Sequence, residues 1–326
     1  MELKKRVVVL GGGTGQATML RGLKNIAGIE LTAIVTVADD GGSTGRLRRS
    51  FQLPAMGDIR NVMLALAESE SVLSNLMNYR FEDTDDTSEL NGHSLGNLIL
   101  TALTQTSGSF MEAISQISKV LNVKGDILPS TSQVITLFAE MEDGTIVRGE
   151  SNIPKLRNRI RNVFYEKEVH ATKQALEALE NADYILYGIG SLYTSILSNL
   201  IINEISATIR ASKAMKIYFC NAMTQPGETT GYSMEEHVQA IRDHGDNPVD
   251  VVVFADDEIP AEVIDRYEDT DAQRVVMVEN EHSYGVVSAH LLRFDGGLVR
   301  HDSEKVQRVM EYILQSEAMK CLLPPM

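Results

Sequence analysis

The sequence is poor in cysteine and contains no long apolar run, and both features restrict where the protein works. Its 326 residues include two cysteines, Cys220 and Cys321, which show neither metal-ligand spacing nor a disulfide framework. No window approaches the roughly 20 apolar residues that a membrane-spanning helix needs. The apolar run Val7–Leu10 is too short for the core of a signal peptide. We therefore expect a cytoplasmic protein that does not span a membrane.

Positive charge is also scarce. Lys and Arg number 30 against 45 Asp and Glu, which gives a formal net charge of −15. A chain this acidic repels nucleic acids and anionic membranes on average. The one basic run, at Arg46, Arg48 and Arg49, is short and lies beside Asp39 and Asp40. We therefore expect no nucleic-acid partner.

Common catalytic motifs are missing as well. The sequence has no Gly-x-Ser-x-Gly nucleophile elbow and no cluster of zinc ligands. No series of nucleophile, base and orienting residue stands out. For these reasons the sequence does not predict a hydrolase.

The apolar pattern predicts an α/β protein. A strand-like run at Val7–Leu10 leads through a glycine turn into a helical pattern over Gln16–Ile26 and a β-rich run at Leu31–Ala38. Such a strand–turn–helix–strand unit opens a doubly wound sheet. From Thr172 onward, helical and strand patterns alternate again, up to a final helix over Asp302–Gln315.

The middle of the chain interrupts this alternation. Four helical patterns follow one another between residues 59 and 121, and strand patterns flank the turn Glu142-Asp143-Gly144. We therefore predict a single α/β domain over residues 1–326, with a doubly wound, mostly parallel sheet and helices on both faces. The interruption predicts a small antiparallel excursion, with helical and hairpin insertions at about residues 50–150.

The glycine turn that follows the first strand is the best candidate for a phosphate site. Glycine permits positive φ and lets a ligand approach the backbone closely. The free N–H groups and the dipole of the next helix favour an anion, so we assign Gly12, Gly13, Thr14 and Gly15 to phosphate binding. The turn is not a dinucleotide fingerprint, which would need glycine in place of Gln16, and it is not a P-loop. A tight turn without a ligand is the alternative.

A second polar loop, Asp39–Gly45, follows the second strand and faces the same crevice in an open α/β sheet. An acid there would hold ribose hydroxyls or, next to phosphates, a divalent cation. We assign Asp39 and Asp40 to these roles, with Asp40 as the candidate metal ligand. The loop also offers the ligand N–H groups and hydroxyls, from Gly41, Gly42, Ser43 and Thr44. The alternative is a polar loop whose aspartates cap the next helix.

A further strand–glycine turn–helix passage would present another helix N-terminus to an anion. Its candidate contacts are Gly190, Ser191 and Thr194. Asn221 and Thr224 follow a later strand, where an amide and a hydroxyl suit recognition of a base or a sugar.

Helix starts supply the remaining candidates. Asn97 lies one turn into an otherwise apolar helix and is a candidate ligand contact, whereas Asp58 begins another helix and is readily explained as its N-cap. Arg300 is a fixed cation ahead of the last helix and a candidate phosphate ligand. Ser303, at the N-terminus of that helix, is a candidate phosphorylation site. The alternative is that Asp302 only caps the helix and Arg300 is solvated.

In this order, the motifs resemble those of the YvcK-like branch of the CofD-like family. The resemblance covers nearly the whole chain, and the matching segments are Gly11–Gly15, Asp39–Gly45, Gly57–Asn61, Gly92–Asn97, Gly190–Ser195, Asn221–Thr229 and Arg300–Asp302. The family pattern has proline where this chain has Ile189, and loss of that fixed φ loosens the turn.

The resemblance implies a Rossmann-like α/β fold. For the YvcK-like branch it implies a gluconeogenesis factor that binds a nucleotide-sugar such as UDP-glucose or UDP-N-acetylglucosamine. That branch acts in cell shape and wall synthesis during growth on gluconeogenic carbon sources, without an established catalytic activity. For the transferase branch the resemblance implies transfer of a phospholactyl group to a deazaflavin precursor, with a guanine nucleotide leaving and magnesium assisting.

Three functions stay open on the sequence. The first is a nucleotide-sugar-binding regulator that requires no cofactor, and the second is a magnesium-dependent group transferase with the same site. The acid pair Asp39 and Asp40 favours the transferase slightly, because it could hold the metal. The third, an NAD-type oxidoreductase, is weakest because the fingerprint fails at Gln16. The sequence is compatible with a homo-oligomer.

Overall fold

The structure of the chain is a computed structural model. The structure describes residues 4–68, 72–82, 88–268, 270–279 and 281–316. None of the described helices is long and apolar enough to cross a membrane.

The core of the molecule is a sheet of seven parallel strands in the order β10-β9-β8-β7-β1-β2-β3. A three-stranded antiparallel sheet has the order β5-β4-β6, and β11 and β12 form an antiparallel pair. The strands are β1 Lys5–Gly11, β2 Ile29–Val35, β3 Asp126–Pro129, β4 Leu137–Met141, β5 Ile146–Arg148, β6 Ile160–Tyr165, β7 Tyr184–Tyr187, β8 Met215–Phe219, β9 Val251–Ala255, β10 Gly285–Ala289, β11 Leu292–Asp295 and β12 Leu298–His301. The predicted α/β fold with a small antiparallel excursion is confirmed.

The helices connect these strands and cover the sheet. They are α1 Gly13–Leu23, α2 Gly42–Phe51, α3 Gly57–Leu66, α4 Val72–Asn78, α5 Leu95–Ser107, α6 Phe110–Val120, α7 Lys173–Glu180, α8 Ser198–Leu200, α9 Asn203–Ala211, α10 Met234–Asp243, α11 Ala261–Glu268 and α12 Ser303–Gln315. A 3-10 segment spans Glu150–Leu156 and a π-helix spans Leu192–Leu197. The predicted helical block corresponds to α3–α6, and the predicted hairpin corresponds to β4 and β5.

The order of the strands places a topological switch point between β1 and β7. The chain proceeds from β1 to β2 and β3 on one side, and from β7 to β8, β9 and β10 on the other. Because crossovers between parallel strands are right-handed, α1 and α9 cover opposite faces of the sheet. Ligands of open α/β sheets bind outside the carboxyl ends of the strands at such a point.

The region after β7 differs from the single helix that its pattern suggests over residues 194–211. The structure has the π-helix, the short α8 and then α9. Buried side chains there compete with backbone N–H groups for the carbonyl oxygens of the helix. The hydroxyl of Ser198 donates to the carbonyl of Thr194, and the side-chain amide of Asn199 donates to the carbonyl of Ser195. Asn199 also donates to the carbonyl of Gly11 at 3.1 Å, so this irregular helix supports the end of β1.

Candidate functional site

A crevice of about 740 Å³ opens at the switch point. Its walls come from the first glycine turn, the turn after β7, the loop after β8 and strand β12. Ten of the residues assigned from the sequence line it: Gly12, Gly13, Thr14, Gly15, Asp39, Gly190, Ser191, Asn221, Thr224 and Arg300. The parallel sheet therefore brings together segments that are far apart in the chain.

The two glycine turns pack directly against each other. Gly13 has a φ of +63°, a left-handed conformation that favours glycine. A Cβ on Gly15 would lie 2.3 Å from the carbonyl oxygen of Ile189, so only glycine lets the start of α1 approach the second turn. The N-terminus of α1 consequently faces the crevice. Its N-cap is Gly12, which has no side chain to accept a hydrogen bond from the N–H groups of the helix.

Gln16 explains why the first turn departs from the dinucleotide fingerprint. Its side chain is fully buried, and its amide nitrogen donates to the carbonyls of Val9 and Ile34 at 3.0 Å each. The residue thus joins β1 and β2 at the place where the fingerprint has a glycine for close helix–strand packing.

Asp58 lies beside the N-terminus of α1. A Cβ on Gly12 would lie 2.6 Å from its carboxylate, so this aspartate is in contact with the glycine turn. Burial raises the pKa of Asp58 to about 7, and the negative charge of Asp39 raises it further. The hydrogen bond from the Gly13 N–H lowers this pKa but has a smaller effect. Asp58 lies in the first turn of α3, whose N-cap is Met56, so the interpretation of Asp58 as the N-cap is wrong. Its carboxylate instead lines the crevice.

Two further carboxylates line the crevice with Asp58. Burial raises the pKa of Asp39, whose Oδ1 accepts a hydrogen bond from the Gly41 N–H at 2.9 Å. Burial also raises the pKa of Glu150 to about 8, with repulsion from Asp39 as the next cause. Carboxylate oxygens are the ligands that Mg²⁺ prefers, but the oxygens of Asp39, Asp58 and Glu150 do not all lie within 4.8 Å of one another, so this set of crevice carboxylates is not a preformed cation site.

Asp40 is directed away from this set. Its Oδ1 accepts a hydrogen bond from the Ser151 N–H at 3.0 Å, and it does not line the crevice. A Cβ on Gly149 would lie 2.4 Å from its other oxygen. Asp40 therefore positions the 3-10 segment that carries Glu150, while Asp39 is the member of the pair that lines the crevice.

The rest of the Asp39–Gly45 loop forms the start of α2 and does not line the crevice. The Ser43 hydroxyl lies 3.0 Å from Nδ1 of His93, and the Asn97 amide lies 3.4–3.5 Å from the hydroxyls of Ser43 and Thr44. These buried polar groups join the N-termini of α2 and α5. Gly41 and Gly42 lie at the N-terminus of α2, outside the crevice wall.

The helix N-terminus after the second glycine turn is occupied by a side chain of the protein itself. Glu228 is 5 % exposed and interacts with the backbone N–H groups of Thr194 and Tyr193 and with the Thr194 hydroxyl. Burial raises the pKa of Glu228 to about 7, although these donors lower it. Thr194 consequently binds Glu228 and does not line the crevice, whereas Gly190 and Ser191 do.

The loop after β8 forms the opposite wall. The Asn221 amide donates to the Gly190 carbonyl at 2.8 Å, and its oxygen accepts from the Tyr218 hydroxyl at 3.0 Å. Thr224 exchanges hydrogen bonds with the backbone of Gln273. Most of the hydrogen-bonding groups of Asn221 and Thr224 thus stabilise the loop that forms this wall.

Arg300 is exposed at the edge of the crevice and makes no ion pair within the part of the chain that the structure describes. Asp302 caps α12, as its position suggests, by accepting from the N–H groups of Glu304 and Lys305. The Ser303 hydroxyl lies outside the crevice and donates to the Thr18 carbonyl at 2.8 Å.

Sequence reasoning did not select Asp58, Glu150, Asn61 or Tyr267 as site residues, although all four line the crevice. Asp58 and Asn61 belong to the family-like segment Gly57–Asn61. That segment starts a helix that faces the first glycine turn, and this position was the signal that could have identified both residues. Glu150 and Tyr267 follow no motif, since each reaches the site through tertiary packing of a distant segment.

The chain is similar to known proteins over most of its length. The family model described as "2-phospho-L-lactate transferase CofD" matches residues 7–292. A protein named "Gluconeogenesis factor" from Halalkalibacterium halodurans is 46% identical over 312 residues, covering 94% of this chain and 96% of that protein. Its namesake from Bacillus subtilis is 42% identical over 320 residues, covering 97% and 100%.

A solved structure supports the same relationship. A crystal structure of a Bacillus halodurans protein superposes with a TM-score of 0.90 at 45% sequence identity, covering 94% of this chain and 99% of that one. The fold, the order of the motifs and these similarities agree, and the chain belongs to the CofD family, in its YvcK-like branch.

Proposed function

We propose that the protein binds a nucleotide-sugar, such as UDP-glucose or UDP-N-acetylglucosamine, and acts as a regulatory gluconeogenesis factor in cell shape and wall synthesis. The observation that carries the proposal is the exposed N-terminus of α1, set in a crevice of about 740 Å³ at the switch point of a doubly wound sheet. Backbone N–H groups at such an N-terminus are suited to phosphate. The relatives' names support the gluconeogenic role.

The crevice has the polarity that such a ligand needs. The N–H groups of the α1 turn would hold the diphosphate, and Arg300 at the rim would supply a full positive charge. The ring of Tyr267 and the apolar side chain of Leu298 offer surfaces for the base or the sugar ring. Asp39 would accept hydrogen bonds from sugar hydroxyls.

Calorimetry with purified protein tests the proposal. UDP-glucose, UDP-N-acetylglucosamine, GDP and NAD are titrated with and without magnesium. We expect saturable binding of at least one UDP-sugar and much weaker binding of NAD, because Gln16 alters the turn that NAD would need. Failure of both UDP-sugars to bind, with either GDP or NAD binding instead, would contradict the proposal.

A magnesium-dependent group transferase is the second candidate, and the carboxylate set favours it. Asp39, Asp58 and Glu150 would have to move closer together to hold the cation beside the diphosphate, and the ion would then neutralise charge on a leaving nucleotide. Asp40 would act on this set through the segment that carries Glu150. The regulator hypothesis expects no rapid turnover of UDP-sugars by the purified protein. Steady release of UDP or sugar phosphate that is lost in EDTA and in Asp39→Asn would instead favour the transferase.

A further inference from the structure

Ser195 lies in the π-helix that follows the second glycine turn, and its hydroxyl has no hydrogen-bond partner among the described residues. The residue is 9 % exposed and lines the crevice. Its backbone groups are both bonded, because its N–H donates to the carbonyl of Ser191 at 3.0 Å and its carbonyl accepts from the side-chain amide of Asn199 at 2.7 Å. The Oγ atom makes no such bond and is not enclosed by protein atoms, so it is accessible from the crevice.

This hydroxyl lies between the two glycine turns. A Cβ built on Gly13 would lie 3.8 Å from Oγ of Ser195, and a Cβ built on Gly190 would lie 3.7 Å from the same atom. Since glycine has no Cβ, the backbone of both turns is open toward the hydroxyl. Gly13 is the first residue of α1, where the free N–H groups of that helix lie. A group that accepts hydrogen bonds from the start of α1 would therefore lie within reach of Ser195.

The π-helix decides which of two neighbouring hydroxyls lies in the crevice. Its wide turn is closed by the N–H of Ile196, which donates to the carbonyl of Ser191 at 3.1 Å. The wider turn changes the direction of the side chains relative to an α-helix, and such segments are frequent at functional sites. The hydroxyl of Thr194 consequently bonds to Glu228 at 3.4 Å, outside the crevice wall, while Ser195 lines the crevice.

Glu228 limits what else the second turn offers to a ligand. Its carboxylate interacts with the backbone N–H groups of Tyr193 and Thr194, so these donors are already used. The second turn therefore contributes a side-chain hydroxyl, whereas the first turn contributes the backbone N–H groups of α1. The two turns thus offer different donors to the same space.

We propose that the hydroxyl of Ser195 donates a hydrogen bond to a phosphate oxygen of the bound nucleotide-sugar, at the N-terminus of α1. This inference rests on the proposed function and adds to it a residue that holds the diphosphate from the second turn. A phosphate oxygen fits because the N-terminus of α1 attracts it, and a hydrogen bond to an anion is roughly twice as strong as one between neutral groups. The sugar hydroxyls are the other source of acceptors on such a ligand, and the experiment separates the two.

Calorimetry in EDTA with UDP-N-acetylglucosamine, UDP and uridine tests this contact in the wild type and in Ser195→Ala. The variant should bind UDP-N-acetylglucosamine and UDP about tenfold more weakly, because a hydrogen bond to a charged group is lost. It should bind uridine, which has no phosphate, as the wild type does. The free energy of unfolding of the unliganded variant should not fall, since the hydroxyl has no partner among the described residues.

Ser206→Ala is the matched control. Ser206 is 4 % exposed, lies in α9 outside the crevice wall and donates to the carbonyl of Gly245 at 2.7 Å. Loss of this buried hydrogen bond should lower the free energy of unfolding. The affinity of this variant for UDP and UDP-N-acetylglucosamine should equal that of the wild type.

The outcomes separate this inference from the proposed function. Equal affinity of the wild type and Ser195→Ala for both phosphate ligands would overturn the inference and leave the nucleotide-sugar proposal intact. A loss confined to UDP-N-acetylglucosamine would place the hydroxyl at the sugar, and a loss that extends to uridine would place it at the nucleoside. Either result, or a loss of stability equal to that of Ser206→Ala, would overturn the phosphate contact. If the wild type binds neither UDP nor UDP-N-acetylglucosamine, the proposed function fails and the inference fails with it.

Discussion

At the scale of single residues, the crevice is distinguished by carboxylates whose pKa values are raised into the neutral range. Asp58 has a pKa of about 7 and Glu150 of about 8, in both cases chiefly because of burial. Perturbed ionisable groups in a cleft are a physical mark of a functional site. Their ionisation should therefore affect both ligand binding and stability.

Binding of a UDP-sugar in EDTA should weaken as the pH rises from 6 to 8. Asp58 loses its proton in this range, and its negative charge would then face the phosphates of a ligand bound at the N-terminus of α1. Asp58→Asn should flatten the dependence. Calorimetric dissociation constants at several pH values measure this, and a constant that does not change with pH in the wild type would contradict it.

Asp58→Asn should also stabilise the protein at pH 8. The pKa of Asp58 rises from 3.8 in the unfolded chain to about 7 in the folded state, so the folded state binds more protons and loses stability as the pH rises through this interval. Since one pKa unit corresponds to about 1.4 kcal/mol, the gain should be a few kcal/mol.

The measurement is the free energy of unfolding at pH 5 and at pH 8. The gain should be larger at pH 8. Asp143→Asn is the control, because Asp143 is exposed and accepts the Thr145 N–H, which lowers its pKa. That variant should give no gain, and an equal gain in both variants would contradict the assigned role of burial.

Arg300→Ala should weaken UDP-sugar binding about tenfold, as expected for loss of a charge-assisted contact. The melting temperature of the unliganded protein should not fall, because Arg300 is exposed and has no ion pair within the described residues. Arg293, which faces Arg300 across the β11–β12 pair, does not line the crevice. Arg293→Ala therefore separates a direct contact from a general loss of positive charge.

Ser303 follows Arg300 by three residues and begins α12. Phosphorylation would place negative charge at the N-terminus of α12 and near Arg300, where it would compete with the ligand. The hydroxyl would first have to give up its hydrogen bond to Thr18. Weaker UDP-sugar binding by the phosphorylated protein than by the unmodified protein is the expected result.

At the scale of elements, the short turns at the strand ends determine the site. Gly13→Ala and Gly28→Ala should each cost about 1 kcal/mol or more of stability, since both glycines have positive φ, +63° and +79°. Only Gly13→Ala should weaken UDP-sugar binding, because Gly28 lies in the turn before β2, away from the crevice. Equal ligand affinity in the two variants would contradict phosphate binding at the first turn.

Local pattern predicted most of these elements. The strand Tyr184–Tyr187 and the helix Phe110–Val120 agree with their apolar patterns to within a residue. Helix α2 was not predicted, because Gly41, Gly42 and Gly45 have poor helical propensity. Arg48, on that helix, donates to the carbonyls of Ala38 and Asp39, and such tertiary contacts override local propensity.

At the scale of the whole molecule, the crevice lies between segments from most of the chain, so a ligand there should stabilise the complete fold. A UDP-sugar at 100 times its dissociation constant should raise the free energy of unfolding by about 2.7 kcal/mol. Thermal unfolding at increasing ligand concentration measures this gain. A melting temperature that is independent of UDP-sugar concentration would contradict binding to the native state.

The sequence by itself determined the α/β class, the parallel sheet, the glycine turn at the end of β1 and the family motifs. These features are local, because apolar period and glycine conformation act over a few neighbouring residues. Only the tertiary structure decided which polar groups share the crevice. It turned Asp40 toward Ser151, placed Glu228 on the N-terminus after the second glycine turn, and brought Glu150 to Asp58. Such choices depend on packing between distant segments, which no local pattern encodes.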